Sequence, residues 1–459
     1  MVRQVTAKKT PLWKPLAAII VAAGALLWHL LACIESPMSF SPAGDLAFVT
    51  MEPYDGDDLA IAGKHTFRLM VMSKERKLRV LERTDSYMLT APAFSPDGKK
   101  IAYLRIPLLT AEELKRLEEA IKAAKADDEA TTRPAAPLWP SRAPATQQAE
   151  GERQDLALPS LEAMEDMFRD LADAVMIPVE LVVRDAATGK ISAATLVQVP
   201  LSAEDDKNDV VTMNLLTTYL LVRPQYAPDG EWVHFGVQNF VLAVNPATGD
   251  QRLLGTAAIS LLSPDGRNIA AIQRDALAII QADGQKATYV RLEEAPSPSG
   301  LAWSDNRTLA LMRPSGDKDQ PQVQVDFVGT DGIRGESQAF ALPGQGKATQ
   351  SGELAISPDG KHLAVSFGPD AYILNRDGKV LKAWHLEDEV LAQPTFAPDS
   401  KSVAFKHMSK EQKRVTAIVF FALDGKEIAR VKIPPAAAAT QPATQPKGKA
   451  WKPSRKSSR

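Results

Sequence analysis

Seven copies of a Ser-Pro-Asp-Gly-like turn set between alternating apolar runs, each followed by a second hairpin, predict an all-β fold: a seven-bladed β-propeller. The clearest copy is FSPDGKKIAYL at 94–104. The others are FSPAGDLAFV (40–49), YAPDGEWVHFG (226–236), LSPDGRNIAAI (262–272), WSDNRTLALM (303–312), ISPDGKHLAVSF (356–367) and FAPDSKSVAFK (396–406). Turn chemistry explains the shared letters. Proline presets φ at the first corner, aspartate hydrogen-bonds backbone two residues on, and glycine takes the left-handed corner. Two copies depart from the pattern: Asp305 has no proline before it, and Ser400 replaces the glycine.

The second hairpins read RLMVMSKERKLRVL (68–81), LVVRDAATGKISAATL (181–196), FVLAVNPATGDQRLL (240–254), AIIQADGQKATYV (278–290), VQVDFVGTDGIRGESQAF (324–340), AYILNRDGKVLKAW (371–384) and AIVFFALDGKEIARV (417–431). Two hairpins make a four-stranded antiparallel sheet. Aligned aspartates recur about every 40 residues, the period of a propeller blade, with stretches of 54 before Asp359 and 132 before Asp229. Seven blades closed in a ring hide their strand edges from water.

The S-P-D-G-x-x-[IL]-A-[FYV] unit resembles the WD40-like (PD40) repeat of TolB-type propellers, which is also found in the propeller domains of prolyl oligopeptidase-type peptidases. The resemblance covers nearly all of residues 36–433 and implies a propeller that serves as scaffold, lid or docking platform. It assigns no activity, because a fold by itself carries none. TolB-type proteins also carry a separate domain before the propeller, whereas here the first strand begins within a few residues of Cys33.

Charge is distributed unevenly. The whole chain is −2, the first 14 residues are +4 and the residues from 434 onward are +6, so the body between them carries −12. Residues 1–14 read as a basic n-region on the cytoplasmic side. Residues 15–34, PLAAIIVAAGALLWHLLACI, hold no formal charge and read as a signal sequence or membrane anchor. Lysines before it and an acidic body after it orient the propeller away from the cytoplasm, facing the periplasm or exterior of a bacterial cell. Cys33, the sole cysteine, follows Leu30-Leu31-Ala32, an arrangement that resembles a lipobox ending in an acylated cysteine. The competing reading is an uncleaved transmembrane helix with a cysteine near its outer end. Either one tethers the propeller.

Blade 2 is interrupted over 107–178. TAEELKRLEEAIKAAKADDEA (110–130) opens with a capping box, Thr110 to Glu113, and consists of good helix formers. A Pro/Ala/Thr/Gln stretch follows. SLEAMEDMFRDLADAVM (160–176) then places Leu161, Met164, Phe168, Leu171 and Val175 along one helical stripe. That stripe packs either on its own blade or against a partner protein. The 434–459 tail is basic and too polar to bury a core.

Signals for chemistry are weak. The sequence has no G-x-S-x-G elbow, and AGKHT (62–66) lacks the upstream glycine and the Ser/Thr of a phosphate loop. One cysteine and six scattered histidines give no metal-ligand spacing, and no cofactor is expected. The acidic stretches YDGDDLA (54–60) and SAEDDKND (202–209) lack the ligand order of a calcium loop. One position breaks the repeat. Second-strand alanines 47, 102, 270, 310, 364 and 404 are matched in blade 3 by His234, whose imidazole needs room and a partner there.

Loops between second and third strands share an end of a propeller with the loops between blades. The acidic stretches, the insertion and the basic KHMSKEQKR (406–414) all fall at that end. The sequence therefore points to a non-catalytic, membrane-tethered platform for a protein or cell-envelope partner. The alternative is a small-ligand binder or enzyme with a site in the central channel, where His234 is the first candidate. Nucleic acid is not an expected partner, since the body is acidic.

Overall fold

The structure, a computed structural model, describes residues 37–52, 65–108, 176–200, 222–237, 240–256, 259–273, 276–282, 286–291, 300–315, 322–341, 352–409, 411 and 414–435. These fold into seven antiparallel sheets, each built from consecutive strands: 39–84, 87–200, 225–256, 259–291, 300–341, 353–385 and 389–432, named blades 1 to 7. Six sheets have four strands. In blade 2 the innermost strand is split into Tyr87–Leu89 and Ala93–Phe94, both paired with Lys100–Pro107. No helix occurs among the described residues.

The ring is closed. Every successive pair of blades shares an apolar cluster, and the pair of blades 7 and 1 is included. At that seam Met38, Leu46, Phe48, Met70 and Met72 pack on Val390, Met408, Ile418 and Phe420. Polar groups fasten it further. Lys406 Nζ, fully buried, donates to the Val49 carbonyl at 2.9 Å, and Arg68 donates to the Pro434 carbonyl at 2.7 Å. The Arg76 guanidinium lies 3.4 Å over the Phe420 ring.

The second-strand alanines explain how closely the blades approach. All six are 0% exposed, and each faces the following blade at the same pairing position. In these six blades the small side chain lets the following sheet pack close at that point.

The first turns do the work their letters predict. Asp265 Oδ1 accepts from the Ser263 hydroxyl at 2.6 Å and from the Arg267 N–H at 3.1 Å, and Asp97 and Asp359 repeat the pattern. Asp229, Asp305 and Asp399 likewise accept from the backbone N–H two residues on. Asp305 keeps this role in a turn shortened by one residue, because Ser304 N–H bonds to the carbonyl four residues on rather than five.

These turns also stack around the axis. The proline of one blade sits against the glycine of the next: Pro42 on Gly98, Pro96 on Gly230, Pro228 on Gly266. At Gly266, with φ +66°, an added Cβ would lie 2.0 Å from Pro228 Cδ.

Several expectations lie outside the described residues: the anchor 15–34 with Cys33, residues 109–175 of the insertion with Leu161, Met164, Phe168, Leu171 and Val175, both acidic stretches, and the tail beyond 435. The insertion is narrower than the expected 107–178, because Pro107 and Met176–Pro178 are paired strand residues, so Met176 does not end a helix. Among the described residues no helix is long and apolar enough to cross a membrane. The strands that bracket the insertion, Lys100–Pro107 and Met176–Asp185, pair directly and fix where it leaves the blade.

Candidate functional site

Each innermost strand begins at the end of the ring that carries the long connections and finishes at the Ser-Pro-Asp-Gly turn. The first residues of these strands therefore surround the channel mouth on the loop-rich end. Glu353 is the first residue of the blade 6 strand Glu353–Ile356. Gln393 lies in the neighbouring blade 7 strand Glu389–Phe396, at a bulge between Ala392 and Thr395 that gives it φ 53°. That conformation turns both its backbone N–H and its side-chain amide onto Glu353: the N–H donates to Oε2 and Nε2 to Oε1. Ser366, opposite Glu353 on the second strand of blade 6, donates to Oε2 at 2.9 Å.

Arg223, two residues before the blade 3 strand Gln225–Tyr226, feels the charge of Glu353 of blade 6. Lys406 acts on the same carboxylate from the seam between blades 7 and 1. Burial pushes the Glu353 carboxyl above its ordinary pKa, although Gln393, Ser366 and the two cations pull it down. Burial likewise lowers the proton affinity of Arg223, with Glu353 opposing. Hydrogen bonds thus join one carboxylate, one amide and one hydroxyl from blades 6 and 7, a polar group at the start of the innermost strands.

His234 is placed differently. It pairs with Ala243, whose side chain belongs to the core between blades 3 and 4, so it occupies the interblade position its repeat assigns. The ring is 7% exposed, and its Nδ1 has no hydrogen-bond partner among the described residues. Burial drives its pKa down to about 4, with Asp229 opposing weakly. No interaction among the described residues joins it to Glu353. Lys406 and His407, expected in a basic loop, lie instead within the strand Ser402–Ser409 and are buried. His407 Nε2 meets Glu389 at 2.7 Å and Nδ1 meets the Thr416 hydroxyl at 2.9 Å.

The other large polar group fastens blade 1 to blade 2. Glu82, buried, receives Arg105 Nε at 2.7 Å, Arg184 Nη2 at 2.6 Å and the Tyr103 hydroxyl. Arg184 Nε in turn donates to the Tyr103 oxygen at 2.7 Å. Among the described residues no group of three or more His, Cys, Asp or Glu gathers to hold a metal ion.

No protein-family model matches the chain, and no curated protein matches it. Among solved structures it is similar to a chain of a crystal structure of the mitotic checkpoint complex, at 10% identity and a TM-score of 0.48, over 83% of this chain and 86% of that one. It is also similar to the dihydro-heme d1 dehydrogenase NirN in complex with DHE, at 13% identity and a TM-score of 0.42, over 87% of this chain and 66% of that one. The seven closed sheets establish the propeller, a fold suited to protein interaction.

Proposed function

We propose that this chain is a non-catalytic binding platform, tethered to a bacterial membrane through residues 15–34 and facing outward, that holds a protein or cell-envelope component on the loop-rich end of its propeller. One observation carries the reading: short, uniform turns close one end of the ring, while the long connections leave from the other. The resemblance to TolB-type repeats supports an envelope role. Crosslinking the full-length protein in its native cells, with and without residues 107–178, tests it. A specific partner captured by the full chain supports the platform, and no specific partner with either chain overturns it.

A second reading, a small-ligand site on the axis, is favoured by the Glu353 group at the channel mouth. It centres on Glu353 and Gln393 rather than on His234.

A further inference from the structure

Both ends of the described chain leave the ring at the same place. Ser39 opens the innermost strand of blade 1 and pairs with Ala47, so the chain enters that strand from the loop-rich end and runs toward the first turn. Met38, just before it, is buried with Val390 and Met408, which are paired near the loop-rich end of blade 7. The outermost strand of blade 7, Glu427–Lys432, runs from its turn to that same end. Ile433 then joins the cluster that holds Met38, and its N–H donates to the Thr416 carbonyl at 2.8 Å. Arg68 fixes the next residue. Its guanidinium donates to the Pro434 carbonyl at 2.7 Å and, at 2.6 Å, to Glu52, which ends the second strand of blade 1 at the loop-rich end.

Chain length turns this exit point into an orientation. Only residues 35–37 separate the apolar stretch 15–34 from Met38. Fully extended, the steps from Ile34 to Met38 span about 14 Å. A propeller hung on that stretch therefore has its loop-rich end nearest the membrane and its Ser-Pro-Asp-Gly turns away from it. The basic tail starts from the same seam. Lys447 lies within about 45 Å of Pro434 at full extension, so the six charges from Lys447 to Arg459, with Trp451 among them, reach the same surface. An anionic surface repels a body of −12 and attracts a segment of +6, and each basic residue near it strengthens binding by about fivefold.

We propose that the loop-rich end faces the membrane and that residues 447–459 bind anionic lipid headgroups beside the anchor. The inference rests on the tether proposed above and specifies it: one seam of the ring is held by two lipid contacts, one apolar and one electrostatic. A component held on the loop-rich end is then met at the membrane surface.

Energy transfer from the full chain in vesicles tests this. The vesicles are phosphatidylcholine, with or without phosphatidylglycerol, and carry a headgroup-labelled acceptor lipid. A donor dye is placed at Asp388→Cys, Lys99→Cys or Ser454→Cys, and wild type treated alike reports any signal from Cys33. Asp388 is exposed in the connection between blades 6 and 7 at the loop-rich end, and Lys99 is exposed at the first turn of blade 2. The two ends stand roughly 25 Å apart, the length of the strand Lys100–Pro107. The Asp388 dye should transfer more strongly than the Lys99 dye in both kinds of vesicle. The Ser454 dye should transfer strongly only where phosphatidylglycerol is present, and high salt should abolish the difference. Lys447→Gln, Lys449→Gln and Lys452→Gln together should lower the ratio of bound to unbound tail on the order of a hundredfold. Equal transfer from Asp388 and Lys99, or stronger transfer from Lys99, overturns the orientation. A Ser454 signal indifferent to phosphatidylglycerol, to salt or to the triple substitution overturns the lipid contact and leaves the acidic body or a protein as the occupant of the tail. Flotation of wild type separates the two readings. A chain that floats with neither vesicle sinks the tether and this inference together, whereas a chain that floats but transfers in the wrong pattern sinks this inference alone.

Discussion

The Ser400 hydroxyl accepts the Asp359 N–H at 3.1 Å, joining the first turn of blade 7 to that of blade 6. Ser400 stands where most copies of the turn carry glycine, and it holds the same left-handed backbone, with φ 58°. A serine costs about 1 kcal/mol there, and a hydrogen bond between turns returns about the same amount. Ser400→Gly should therefore melt within about 0.5 kcal/mol of wild type, since strain and bond vanish together. Ser400→Ala keeps the strain and loses the bond, and should be destabilised by about 1 kcal/mol in denaturant titration.

Gly266 offers no such exchange. A Cβ would collide with Pro228 and sit on a left-handed backbone. Gly266→Ala should cost roughly 2 kcal/mol or more and lower the melting midpoint, while Gly230→Ala, whose Cβ would lie 3.7 Å from Pro96, should lose less.

His234 makes stability sensitive to acid. Its folded pKa of about 4 lies below the ordinary 6.5, so the unfolded chain takes up the proton first. The contribution is whole above pH 6.5 and drains away as pH falls toward 4, by about 3 kcal/mol in total. Replacing His234 with glutamine should flatten the change in melting temperature between pH 7 and pH 4.5. An unchanged slope would assign the acid sensitivity to other groups.

Glu82 loses stability in acid as well, but for a different reason. Burial raises its pKa, but Arg105, Tyr103 and Arg184 together bring it below the ordinary 4.5. Its contribution is present above pH 4.5 and is lost as pH falls through the lower folded value. Glu82→Gln leaves Arg184 without its carboxylate and Arg105 with Glu180 alone, and should cost about 3 kcal/mol at neutral pH. The gap between variant and wild type should narrow on acidification, read by denaturant titration at pH 7 and pH 3.

The repeat could be read from the letters because each blade is specified locally. Proline, aspartate and glycine act within a few residues of one another, and the interblade alanines recur in fixed register with those turns. His234 stood out by breaking that register, and it does occupy the interblade position. The channel group had no such signature. Glu353 and Gln393 come from two blades, 40 residues apart in the chain, and meet only because neighbouring blades pack. The bulge that turns Gln393 onto Glu353 is a product of pairing between Glu389–Phe396 and Ser402–Ser409, invisible in a single strand. Lys406 and His407 look like loop residues by charge, but strand pairing buries them.

Because each sheet is drawn from consecutive strands, no strand crosses the junction between blades 7 and 1. A pull between residues 37 and 435 would therefore meet no ladder of backbone hydrogen bonds loaded in shear. It would fall on apolar side chains and on side-chain contacts that include Lys406 to Val49, Arg68 to Pro434, Arg76 on Phe420 and the Arg414–Glu52 ion pair. Six junctions have a covalent chain running across them; this one is a clasp, and under tension it is where the ring would part.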